Sequence, residues 1–98
     1  MSNKIKTLEN KRFSIIYPLL NNCCICGKKA EINEVFEGAY RQRSIKYGMC
    51  VPLCNYHHRL FHNNYSFNLE IKKEFQDKFL ETHTLDDFIR LFGKDYFK

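Results

Sequence analysis

Two chelating pairs constrain this chain more than any other feature: Cys23-x2-Cys26 in NCCICGKK and Cys54-x2-His57 in CNYHH, separated by residues 27–53. An x2 spacing lets one tight turn present both side chains to a single ion, and tetrahedral zinc takes four such ligands. Gly27, directly after Cys26, permits the sharp backbone of a knuckle. The chain is short enough to need a staple. At 98 residues it reads as one domain, burying roughly 60–65% of its unfolded surface. Structural zinc on Cys23, Cys26, Cys54 and His57 would supply folding energy that so small a core lacks. The set is open at its margins, because Cys24 or Cys50 can displace a cysteine and His58 can replace His57.

Five cysteines are an odd number, and residues 1–12 alternate charge with isolated Ile and Leu, unlike a signal peptide. The expectation is a cytoplasmic chain with reduced thiols, in a bacterium or a phage-infected host cell, rather than a disulfide framework. No apolar run approaches the ~20 residues that span a bilayer. The balance of 44% apolar and 28% charged residues excludes a disordered chain.

The local patterns divide the domain into an extension (1–22), a zinc-bearing core (23–65) and a helical tail (66–98). Lys11–Leu20 (KRFSIIYPLL) is expected to pack as a short extended segment. Ala30–Phe36 and Met49–Leu53 read as short strands, the second limited by Pro52. The glycine-bounded stretch Gly38–Gly48 reads as a polar, cationic connection. Asn55 is placed to cap a helix from Tyr56 to about Asn63. Asn68–Thr82 carries apolar residues at helical spacing. Thr84 caps LDDFIRLF, whose Leu85, Phe88, Ile89 and Phe92 are expected to cover the core, with Gly93 beyond its end.

Charge is uneven along the chain. Up to Tyr65 the balance is +6, and from Ser66 it is −1, which together give the overall +5. The basic excess therefore lies with the cysteines, and a localised positive field attracts polyanions, nucleic acid foremost. Arg41, Arg43 and Lys46, interleaved with Tyr40 and Tyr47, and Arg59 beside the histidines are the expected phosphate contacts, with Lys28 and Lys29 following the knuckle. Nothing reads as a base-selecting helix.

His57 and His58 are adjacent, so on a helix they point about 100° apart and cannot easily share one ion. His58 and His62 share a face at i,i+4, a ready chelate for a second divalent metal. The order Cys-x2-Cys, strand, connection, strand, Cys-x2-His-His and helix resembles the HNH (His-Me finger, ββα-metal) nucleases, particularly their small zinc-containing phage and bacterial types. The resemblance rests on CCICGKKAEINEVFEGAYRQRSIKYGMCVPLCNYHHRLFH, Cys23 to His62, and is strengthened by its Tyr-Gly, Val-Pro-Leu-Cys and His-His segments.

The resemblance implies an α+β fold, a zinc-stabilised ββα-metal core with additional C-terminal helices. It also implies phosphodiester hydrolysis of DNA, double-stranded DNA being the expected partner, with a single Mg²⁺ or Mn²⁺ as cofactor and possible homodimerisation. The strand-end catalytic pair falls on Asn33 and Glu34, and the helical ion ligands fall on His58 and His62. Asn33 departs from the pattern, since His is expected there and an amide cannot serve as a general base. Three accounts follow: an engineered or selected inactive variant, a naturally degenerate member that binds without cutting, or a weakened enzyme whose base is Glu34. Outside catalysis, a zinc-stapled nucleic-acid-binding module and a zinc-ribbon interaction protein with a docking aromatic tail are the rivals.

Overall fold

A computed structural model of the chain describes residues 11–98. The reading of residues 1–10 as part of an extension without a signal peptide lies outside the described residues. Among the described residues the fold is α+β, with one two-stranded antiparallel sheet and four α-helices. Strand β1 (Glu31–Glu34) pairs with β2 (Cys50–Leu53) in the register Glu31↔Leu53 to Glu34↔Cys50. β2 is buried along its whole length. Pro52 has no N–H to give, and its carbonyl accepts from the Cys24 N–H at 3.0 Å, which ties the knuckle to the sheet.

The polar, cationic connection between the strands is helical over most of its length. A 3-10 turn over Gly38–Tyr40 leads into α1 (Arg41–Lys46). Ser44 explains this: buried, it accepts from the Phe36 N–H at 3.1 Å and donates to the Phe36 carbonyl at 2.6 Å. With Ile45 also buried, tertiary contacts hold a helix too short to stand alone. Gly48, at φ +74°, ends it, and a side chain there would meet Phe13 and Ile15.

Three further boundaries differ from expectation. Helix α2 (Asn55–Asn63) is capped by Cys54 rather than Asn55, its Sγ accepting from the His57 N–H. Helix α3 (Tyr65–Phe79) begins and ends three residues earlier than its apolar stripe suggested, because the Asn64 side chain caps it through the Phe67 N–H. Residues 11–20 do pack on the core through Ile15, Ile16 and Tyr17, but they bend where extension was expected. The Ser14 hydroxyl accepts from both the Ile16 and Tyr17 N–H groups.

Helix α4 (Leu85–Phe92) starts at Thr84 with a capping box to Asp87 and ends at Gly93 in the left-handed conformation. Phe88 and Phe92 are fully buried against Phe36, at ring-centroid distances of 5.5 and 4.7 Å. Leu85 and Ile89 lie at the surface, 38% and 37% exposed, so only half of the expected stripe covers the core. Gln76, buried on α3, holds the C-terminus by donating to Asp95 and accepting from the Tyr96 N–H. No helix among the described residues is long and apolar enough to cross a membrane.

Candidate metal centre and adjoining clefts

The knuckle is built by local hydrogen bonds. The Gly27 N–H donates to the Cys23 carbonyl at 2.9 Å, the Cys23 N–H to the Lys28 carbonyl at 2.6 Å, and Gly27 takes φ +80°. This turn, and the start of α2, bring Cys23, Cys26, Cys54 and His57 together with their ligand atoms all within 4.8 Å of one another. Cys26 Sγ lies 3.6 Å from Cys54 Sγ, and His57 Nδ1 lies 3.6 and 3.3 Å from Cys23 and Cys54 Sγ. A tetrahedron with Zn–S near 2.3 Å and Zn–N near 2.05 Å has edges of about 3.8 Å (S–S) and about 3.6 Å (S–N). The four residues fit a metal ion such as zinc.

The surroundings sort the thiols. Burial opposes ionisation of Cys23, but N–H groups of Cys54, Cys26 and Ile25 outweigh it and hold the thiol down to about 6. The His57 N–H lowers Cys54, and Cys54 in turn raises His57. Cys26 is lowered by the Lys28 N–H, yet burial and its two neighbouring sulfurs leave it raised on balance. Like charges gathered without a cation compete in this way. Cys24 is raised by burial, and Cys50 is pushed up to about 11 by burial and the charge of Glu34. Both, which the sequence left open as alternatives, lie outside the cluster of ligand atoms, and that position is what sets them apart from Cys26.

One residue along α2 turns the second histidine about 100° away from the first. His57 faces the sulfurs, whereas His58 faces His62, their Nε2 atoms 2.9 Å apart. That separation suits an N–H···N hydrogen bond. It also matches the ~3.0 Å edge of an octahedral ion with 2.0–2.1 Å bonds. Each outer nitrogen looks toward a carboxylate that sequence reasoning missed: His58 Nδ1 toward Glu31 at 4.0 Å and His62 Nδ1 toward Glu37 at 3.6 Å. Both distances are those of a loose ion pair and not of a hydrogen bond. The signal was present in EINEVFEG, where acids recur every third residue.

The pair opens into a cleft of about 290 Å³, also lined by Asn33, Glu34, Glu37 and Arg41. The four expected catalytic positions, Asn33, Glu34, His58 and His62, thus share one cleft. Asn33 donates its amide to the Glu31 carbonyl at 3.1 Å. Glu34 is 9% exposed and ion-paired on both oxygens, to Arg12 at 2.6 Å and Arg41 at 2.7 Å. Both carboxylate oxygens are thus occupied by guanidiniums within the cleft.

The expected phosphate contacts divide similarly. Arg41 is engaged by Glu34, Arg43 donates to the Leu91 carbonyl at 3.1 Å, and the Lys46 ammonium sits 5.6 Å from the Tyr47 ring centroid. Arg59 instead joins Lys28 and Lys29 in lining a groove of about 540 Å³ beside the knuckle. No protein-family model, curated protein or solved structure matches this chain.

Proposed function

We propose that this chain is a zinc-stapled nuclease domain of the HNH type, acting on nucleic acid, double-stranded DNA foremost, and impaired in hydrolysis. Zinc on Cys23, Cys26, Cys54 and His57 is structural in this reading, and His58 and His62 hold a Mg²⁺ or Mn²⁺ ion. The observation that carries it is the 2.9 Å pairing of His58 and His62 in the cleft that Asn33 also lines. A divalent ion there supplies charge stabilisation for a phosphodiester and its leaving oxygen.

The chain's own residues then define what is impaired. Asn33 can orient a water or a phosphate oxygen but cannot take a proton. Glu34, tied to Arg12 and Arg41, holds two guanidiniums at the cleft and is better suited to ordering them than to acting as base. General-base assistance contributes typically 10²–10⁴-fold, so its loss leaves slow or undetectable cutting.

The test is plasmid nicking with added Mg²⁺ or Mn²⁺, comparing this chain with Asn33→His. The expected result is a gain of at least about 10²-fold in nicking by the variant. If both proteins bind DNA and neither nicks, the second reading holds: a nucleic-acid-binding module without hydrolysis. The ion pairs that engage Glu34 specifically favour it over an enzyme using Glu34 as base.

A further inference from the structure

A groove adjoins the histidine cleft, lined by Lys28, Lys29, Ala30, Glu31, Cys54, Asn55, Tyr56 and Arg59. We propose that this groove is a binding track for an unpaired nucleic-acid strand, with a base stacked on Tyr56 and phosphates on Lys28, Lys29 and Arg59. The proposal deepens the nucleic-acid reading above and rests on it, but it requires neither the ion at His58 and His62 nor cutting.

Three observations point to it. The first is charge. Lys28, Lys29 and Arg59 are all exposed, and none forms an ion pair among the described residues, while Arg41 and Arg43 are already engaged. Glu31 is the one acid lining the groove, and it lies toward His58. The second is the ring. Tyr56 is 63% exposed, yet its ring stands edge-on to His57, with centroids 5.0 Å apart and planes at 88°. His57 is fixed by the sulfurs, so Tyr56 is propped from behind with surface left to solvent. An open aromatic face beside cations is how sequence-tolerant single-strand binders hold successive bases. A duplex keeps its bases stacked on one another and offers that face nothing.

The third is continuity. The groove and the histidine cleft are both walled by β1 and α2: Glu31 lines one, and Ile32, Asn33 and Glu34 line the other; Tyr56 and Arg59 face one, and His58 and His62 the other. From Glu31 to Asn33 is roughly 7 Å of strand, on the order of one extended nucleotide. A strand seated at Tyr56 therefore presents its next phosphate to the cleft.

The experiment is fluorescence anisotropy on the zinc-loaded full chain without added Mg²⁺, using a labelled 12-nucleotide dT strand and a 12-base-pair duplex across a salt series. Expected are tighter binding of the single strand, a roughly 5- to 150-fold loss on Tyr56→Ala, and recovery in Tyr56→Phe. Lys28→Gln/Lys29→Gln should lower the slope of log affinity against log salt by about 1.4 for the single strand. Zinc content and circular dichroism of each variant report that the fold is intact. Single-strand binding that none of these variants alters would overturn the groove while leaving nucleic-acid binding in place. So would a duplex preference insensitive to Tyr56. Absence of binding to either probe overturns the groove and the nucleic-acid reading together.

Discussion

At the scale of single residues, the five sulfurs divide by position: Cys23, Cys26 and Cys54 converge with His57, and Cys24 and Cys50 lie outside that cluster. Cys23 and Cys54 receive backbone N–H groups that favour the thiolate, while Cys24 and Cys50 are pushed toward the neutral thiol by burial. Cys24→Ser and Cys50→Ser are therefore expected to retain about one zinc per chain, whereas Cys26→Ser should lose it at micromolar competing chelator. Mass spectrometry of the purified variants under native conditions checks this. The spacing of the pairs made the ligands legible in advance. What the spacing could not convey was the use of Glu34: nothing local to INEVF foretells a guanidinium arriving from Arg12, far back in the chain.

At the scale of elements, α4 depends on its cap. Thr84 accepts from the Asp87 N–H at 3.1 Å, and Asp87 turns back toward the Thr84 N–H and also pairs with Arg90 at 2.7 Å. Thr84→Ala should cost about 1 kcal/mol in urea unfolding at neutral pH. The pKa of Asp87 is depressed, first by Arg90 and then by Thr84. A depressed carboxyl stabilises the fold above its unfolded value of about 4 and loses that contribution as pH falls through the folded value. The stability gap between wild type and Asp87→Asn should thus narrow as pH is taken below ~4. This cap was readable because all of its parts lie within a few residues. Helix α1 was not, since Ser44 becomes a helix residue only once Phe36 is beside it. The early start of α3 was hidden for a related reason: Asn64 serves as C-cap of one helix and N-cap of the next, and periodicity sees only apolar residues.

At the scale of the molecule, the aromatic packing of Phe36, Phe79, Phe88 and Phe92 fills the core, and the Cys/His cluster is the place where a metal ion would staple it. Stripping zinc with a strong chelator is expected to abolish the cooperative thermal transition and lower helical circular dichroism. Readdition of zinc should restore both, as for small domains whose metal affinity is folding free energy. A chelated chain that still melts cooperatively at the same temperature would overturn the structural role.

Cys54 links the metal site to the histidine cleft. The same sulfur that would ligate the ion is the acceptor that starts α2, through the His57 N–H. An ionised acceptor makes a stronger hydrogen bond than a neutral thiol, so an ion held at Cys54 would also favour the first turn of the helix. His58 and His62 ride on that helix, which makes their alignment a property that zinc supply would tune from a distance.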